Sequence, residues 1–274
     1  MDNFGDRMKG YEGVWDQALP SRLPVILRLD GNSFSRFTKK VGFEKPFDRR
    51  MSDAMIAGMT AVLDYCSGAV LGYTQSDEIT ILLRNDQTLQ TTPFLANRIQ
   101  KVCSLTAATC SVAFNKRLRE MGMEVDDAIF DCRCFVVPPE EVTNTFLWRQ
   151  QDCFKNAISA FTYYKLGEKV GMGTARKMMD GLNTDQRQEL VFSELGLNCN
   201  DIPTMWKRGI CVKRETQEVY VRDILDPEVY KKLLETGKVM LGETTKRSSW
   251  VPDLEIPIFS QDRNYIESLM EVTG

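Results

Sequence analysis

The sequence predicts an α+β protein whose first half is a ferredoxin-like β-α-β-β-α-β unit, an antiparallel sheet carrying two helices on one face. Two observations predict it: the order of strand-type and helix-type apolar patterns up to about residue 137, and a short polar connection that folds two apolar runs back on each other. A third, the double proline Pro138-Pro139, ends that half. It divides the chain into residues 1–137 and an appended helical and β region at 138–274.

The elements follow in order. LPVILRL, from Leu23, is β-rich and ends at Asp30-Gly31, which reads as a buried first strand and a turn. Pro46 opens PFDRRMSDAMIAGMTAVLDY, where Met51, Met55, Met59 and Val62 recur three or four apart and give a helix one apolar stripe. AVLGYT and EITILL form a hairpin across Gln75-Ser76-Asp77. A second helix runs from about Pro93 through Phe114, and AIFDCRCFVV closes the sheet with Phe130, Cys132, Cys134 and Val136 on one face. The face of the sheet opposite the helices is left free for function.

Past the prolines, EEVTNTFLWRQQDCFKNAISAFTYYKL is a long helix with acids in its first turn, ended by Gly167, Gly171 and Gly173. A short helix near MMDGLNTDQRQELVFSEL, strands in ICVKRE and EVYVRDI and a less ordered tail complete the chain.

Composition narrows the chemistry. No apolar run approaches the roughly 20 residues that span a bilayer, and the first twenty lack a signal core, so a soluble cytoplasmic protein is expected. Eight cysteines without a CxxC pair read as reduced thiols. The chain holds no histidine, which removes Ser/His and Cys/His dyads and every imidazole base. Catalysis must run on carboxylates, amines, guanidiniums, hydroxyls or thiols, and oxygen-loving cations such as Mg²⁺ fit that inventory.

The topology brings Asp30, at the end of the first strand, beside Asp77 and Glu78 of the hairpin. Carboxylates gathered at one sheet edge suit two Mg²⁺ ions in phosphoryl or nucleotidyl transfer, and the Gly31 carbonyl adds a backbone oxygen. Alone, an Asp-Gly is usually a turn and a Ser-Asp-Glu usually a solvated loop; only their joint placement raises the case for a site. Residues 36–50 carry six basic and two acidic side chains, a stretch that could seat a triphosphate or form a solvated charged face. Within it, Lys45 stands just before a helix start. On the long helix Arg149, Asp152 and Asn156 share a polar stripe that could contact RNA or nucleotide, or simply pair internally.

The strings LRLDGNSFSRFT, FEKPFD, YTQSDEITILL, AFN, FDCRCFVVPPEEV and LWRQQDCFKNAI, in this order and at these separations, resemble the tRNA-His guanylyltransferase family. GDRMKGYE, QSDE followed by isoleucine and WRQQD look like its guanylyltransferase-like branch of bacteria, archaea and phages. The resemblance covers roughly residues 5 to 215. It implies a polymerase palm that adds nucleotides to the 5′ end of tRNA in the 3′ to 5′ direction with two Mg²⁺ ions, using ATP and GTP or other NTPs, in a homotetramer. By resemblance Asp30, Asp77 and the Gly31 carbonyl would hold metal, with Glu78 a supporting acid. Arg28, Lys45 and the Asn32-Ser33-Phe34 turn would hold nucleotide, Ser76 and Asn156 would position substrate, and Arg149 and Asp152 would accompany them.

The chain departs from the family pattern in two places. Asn32 and Ser35 replace a common arginine and histidine, and on the long helix Phe154 and Ala157 replace a histidine and an asparagine, which favours template-dependent 5′-end repair over strict guanylylation. Two other readings share the topology. A palm-type nucleotide cyclase or synthase would need no RNA groove, and an RNA-recognition module would need stacking aromatics on its central strands, where this chain offers mainly Tyr73.

Overall fold

The computed structural model describes residues 3–271. The first half runs α1 (Phe4–Gly13), β1 (Val25–Gly31), α2 (Phe34–Val41), α3 (Arg49–Tyr65), β2 (Ala69–Gln75), β3 (Glu78–Leu83), α4 (Ile99–Glu120) and β4 (Phe130–Val136). The second half adds α5 (Val142–Val170), α6 (Met172–Met179), α7 (Thr184–Leu195), α8 (Thr204–Lys207) and β5 (Ile210–Tyr220). It then continues through α9 (Val221–Ile224), α10 (Pro227–Glu235), β6 (Thr244–Asp253) and α11 (Asn264–Glu267).

Strand alternation decides the layers. Val25, Leu27 and Leu29 of β1 face α3 and α4, where the predicted methionine stripe buries Met55 and Met59 beside Phe114 and Leu118. Ile26 points the other way, with Leu71, Tyr73 and Leu82. The antiparallel order β4-β1-β3-β2 is that of the ferredoxin-like palm, and the α+β class holds.

Several expectations are corrected. The sheet does not stop at four strands: β5 pairs with β2 and β6 with β5, giving six. ICVKRE and EVYVRDI are not two strands, because pairing with β6 keeps β5 extended until Tyr220, where a helical turn begins. The tail is ordered, with Ile256, Phe259 and Ile266 fully buried. The second sheet face is therefore not free. Val142 and Phe146 of α5 and these tail residues cover Ile26, Leu71, Tyr73 and Leu82.

Helix ends shift for local reasons. α3 starts at Arg49 rather than Pro46, because the buried Asp48 caps it by accepting from the Arg50 N–H at 2.8 Å. Part of the basic segment before it is itself helical, as α2. A tight turn over Phe94–Asn97 delays α4, which then runs beyond Phe114 to Glu120. Gly167 lies inside α5, so Gly171 alone ends it, and the single short helix expected next is two, α7 opening on a capping box between Asn183 and Gln186. Among the described residues no helix is long and apolar enough to cross a membrane.

Candidate active site

The carboxylate end of the sheet is built by strand register. Asp30 stands on β1 between Asp131 of β4 and Glu78 of β3, so three acids lie side by side across three strands. The hairpin adds a fourth. Ser76 adopts a left-handed φ of 52°, which turns the chain within two residues while Gln75 and Glu78 remain paired. The Gly31 N–H then donates to the Asp77 carbonyl at 3.0 Å, tying the turn to the end of β1. Gly31 is required there for space, since a Cβ would meet the Phe34 ring at 2.3 Å.

The acids are in different electrostatic situations. Glu78 receives a fork from Arg149, Nε to Oε1 at 2.5 Å and Nη2 to Oε2 at 2.7 Å, with both side chains largely buried. Burial still pushes the Glu78 carboxyl upward, against the pull of Arg149 and Arg28. Asp77 is also raised, chiefly by burial and further by the charge of Asp30. The Ser76 hydroxyl, donating to Asp77 Oδ1 at 3.0 Å, and the Lys45 ammonium oppose that rise.

These residues fit a divalent cation with one restriction. Asp30, Asp77 and the Gly31 carbonyl offer hard oxygen donors, and a desolvated Asp77 beside Asp30 gains from a positive charge. Glu78 is already taken by Arg149, so Asp30, Asp77 and Glu78 are not presented as the three free acids that the sequence suggested. Among the described residues no group of three or more His, Cys, Asp or Glu side chains is arranged to hold a metal ion.

Beside the acids opens a cleft of about 210 Å³ lined by Thr38, Lys45, Ser76, Asn156 and Trp206 among others. Lys45 is exposed and donates to Thr38 Oγ1 at 3.2 Å, which brings its ammonium across from the hairpin rather than onto the start of α3. Trp206 stacks on Phe47 with centroids 5.0 Å apart and planes at 11°, and its indole N–H donates to Ser52 Oγ at 3.1 Å. It forms a rigid wall of the cleft.

The α5 stripe joins the two areas. Arg149 Nη2 also donates to Asp152 Oδ2 at 2.9 Å, and Asn156 Nδ2 donates to the same oxygen at 3.3 Å. A continuous chain thus runs from Glu78 through Arg149 and Asp152 to Asn156 at the cleft. The internal pair expected of a bland stripe exists, and the guanidinium additionally crosses to the sheet. Arg28 lies on the same sheet face, its guanidinium 5.6 Å from the Trp148 ring. Arg149 lies over that ring at 4.5 Å.

The turn after Gly31 divides its tasks. Asn32 and Ser33 are exposed, and Ser33 takes a left-handed φ of 57° to start α2. Phe34 is different. Its ring is 3% exposed and packs on Phe37, Phe114 and Phe130 with centroids 5.0–5.5 Å apart, so as a side chain it belongs to the core and only its backbone can reach a ligand.

With this geometry in view, two family models divide the chain between them. "tRNAHis guanylyltransferase" matches residues 5–138, and "Thg1 C terminal domain" matches residues 140–251. A solved bacterial tRNA(His) guanylyltransferase (Thg1)-like protein in complex with ATP superposes with a TM-score of 0.79 at 35% identity, covering 99% of this chain and 100% of that one. The same kind of bacterial protein in complex with GTP gives 0.74 at 35% identity over 98% and 99% of the two chains.

The chain belongs to the tRNA-His guanylyltransferase family.

The tRNA(His) guanylyltransferase of Schizosaccharomyces pombe is 29% identical over 224 residues, 81% of each chain. The probable tRNA(His) guanylyltransferase of Drosophila melanogaster is 27% identical over 94% of each. As a member of this family the chain is an enzyme, a nucleotidyltransferase. The "Thg1 C terminal domain" model extends to residue 251, past the stretch to about residue 215 on which the sequence motifs rest.

Sequence reasoning missed three contributors to this guanylyltransferase-family site. Asp131 becomes a neighbour of Asp30 only through β1–β4 register, a pairing that FDCRC taken as a strand could have disclosed. Trp206 and Thr38 reach the cleft from a four-residue helix and from a helix hidden in the basic segment, and neither left a periodic signal.

Proposed function

We propose that the protein adds nucleotides to the 5′ end of tRNA in the 3′ to 5′ direction, as a template-dependent repair of that end. One observation carries the reading: Asp30 and Asp77 are joined at one sheet edge through the Gly31–Asp77 hydrogen bond, beside a cleft lined by Lys45, Ser76 and Asn156. Acids next to a cationic, hydroxyl-lined cleft are the arrangement that nucleotidyl transfer requires.

In this reading Asp30, Asp77 and the Gly31 carbonyl hold Mg²⁺, two ions by family resemblance, while Glu78 keeps Arg149 in place. The bound cation supplies charge neutralisation at the phosphates undergoing transfer. Lys45 and Arg28 bind and orient the triphosphate, and the exposed Asn32-Ser33 turn with the Phe34 backbone offers it further polar contacts. Asn156, held by Asp152 and through it by Arg149, positions the second substrate.

The bond changes are simple. The 3′ hydroxyl of an incoming NTP forms a bond to the 5′ phosphorus of the RNA, and pyrophosphate leaves a 5′-triphosphate end. A 5′-monophosphate end is first adenylylated by ATP with loss of pyrophosphate, and AMP leaves at the second step. No imidazole base is needed, because positioning and charge neutralisation dominate such transfers.

The reading extends to organisation. Residues 1–137 form the catalytic palm and residues 138–274 the appended region, a division supported by the family models that meet at 138 and 140. A cytoplasmic homotetramer follows from the family resemblance, and the apolar stripe of Phe4, Tyr11 and Trp15, each at least two-thirds exposed in one chain, supports assembly. Native mass spectrometry at micromolar protein tests the tetramer.

Incubation with Mg²⁺, each NTP and a tRNA missing its first nucleotide tests the main reading. Extension by the base complementary to the opposing strand is expected from either a 5′-monophosphate or a 5′-triphosphate end. Addition of G whatever the opposing base would mean a guanylyltransferase instead, and tRNA binding without extension would end the polymerase reading.

A further inference from the structure

Three of the eight cysteines meet away from the active site. Cys103 of α4 faces Cys132 and Cys134, which alternate onto the same side of edge strand β4. Cys103 Sγ and Cys134 Sγ are 3.5 Å apart, and Cys132 Sγ accepts from the Thr106 hydroxyl at 3.3 Å. All three side chains are only partly buried, whereas Cys66, Cys110, Cys153, Cys199 and Cys211 are enclosed. No cation site accounts for the cluster among the described residues.

The three thiols are unequal. Hydrogen bonds from Cys132, first, and from Cys134 hold the Cys103 thiol down to about 6, while burial lifts Cys134 to about 12. At neutral pH the cluster therefore concentrates thiolate character on the sulfur that both neighbours can reach. Reactivity toward oxidants follows thiolate character and access, and a nearby second thiol resolves the first product.

We propose that Cys103 and Cys134 are a peroxide-reactive modification site that closes reversibly into a disulfide between α4 and edge strand β4. Cys103 thiolate attacks one oxygen of hydrogen peroxide, giving Cys103 sulfenic acid and, after proton uptake, water. Cys134 then attacks the sulfenic sulfur and a second water leaves. The balance is two thiols and one peroxide to one disulfide and two waters, with two electrons passing from the sulfurs to the peroxide. The sulfurs must approach by more than an ångström to reach bonding distance near 2 Å, a movement that β4, paired on one side only, can make.

The test uses the full chain, reduced, freed of thiols and treated with one equivalent of hydrogen peroxide. Trypsin cuts at Arg133 and so separates Cys132 from Cys134. Non-reducing mass spectrometry is expected to find the peptide of Cys103 joined to that of Cys134, lighter by two hydrogens than the pair and separated again by dithiothreitol. Cys103→Ser should remove the link, and Cys134→Ser should leave Cys103 as a sulfenic acid trapped by dimedone. A Cys110→Ser control keeps the link assignable to Cys103 within the shared peptide. Oxidation spread evenly over the cysteines, a Cys103–Cys132 link in its place, or stepwise oxidation of Cys103 with Cys134 untouched would each overturn the proposal.

Discussion

The acid end of the sheet and the neighbouring cleft lie within one site yet are built on opposite principles. At the acid end, Asp77 and Glu78 are largely withdrawn from water, and Glu78 is fixed by two short bonds from Arg149. In the cleft, Lys45 and Asn156 are exposed and held by single bonds longer than 3 Å. Desolvated charge is costly and therefore preset, so that a bound cation relieves a strain already present. Exposed charge costs little and can follow a ligand. In the proposed function the acids carry the chemistry and the cleft carries recognition.

The largest expected effect breaks the acid end. Asp77→Asn should lower single-turnover transfer on the order of 10²–10³-fold with an unchanged circular dichroism spectrum. It should also have a stability signature. Because Asp77 is raised above its ordinary 3.8, its contribution to stability is present below that value and is lost as pH rises through the folded-state value. Without divalent cation the variant should thus gain stability relative to the wild type at neutral pH, checked by urea unfolding at pH 3.5 and 7.

Next comes the support beneath the acids. Arg149→Met leaves Glu78 buried without its partner and should cost about 3–5 kcal/mol in urea unfolding. Adding Glu78→Gln should recover a good part of that loss. If the single and double variants are equally unstable, the fork is not what holds this corner.

The cleft should respond more gently. Lys45→Ala is expected to raise the KM for NTP about tenfold, near 1.4 kcal/mol, with little change in melting temperature and a weaker dependence on salt. An equal fall in kcat with KM unchanged would move Lys45 to the side of the chemistry. The smallest effect is expected at Phe154, which packs with Ile158, Val191 and Ile202 in the α5–α7 cluster. Phe154→His should cost about 1–2 kcal/mol in stability and shift the choice between tRNA-His and truncated tRNAs toward tRNA-His. An unchanged choice would show that this position does not read substrate.

How much of this was legible differs between the same two regions. The ends of β1 and the β2–β3 hairpin follow from alternation, an Asp-Gly turn and a polar connector, all local, so Asp30 and Asp77 could be placed together from sequence. Arg149 could be seen only as a partner for Asp152, three residues away. Its bond to Glu78 spans 71 residues and depends on how α5 crosses the sheet. The cleft hid Trp206 and Thr38 for the same reason. In the fold, β6 was illegible because TTKRSSW is polar and exposed, and only its pairing with β5 makes it a strand. Ile256, Phe259 and Ile266 are too sparse to form a periodic pattern, yet each is fully buried against the sheet face that seemed open. Phe34 erred in the opposite direction: its position beside the Asp-Gly turn suggested a ligand contact, but its bulk sends the ring under Gly31 into the core.

The central claim is that Asp77 belongs to a cation site that the cleft's Lys45 does not share. The most direct measurement is the melting temperature of wild type, Asp77→Asn and Lys45→Ala as Mg²⁺ is titrated without nucleotide. The account predicts a Mg²⁺-dependent rise in the wild type and in Lys45→Ala that disappears in Asp77→Asn. An equal rise in all three proteins would contradict it.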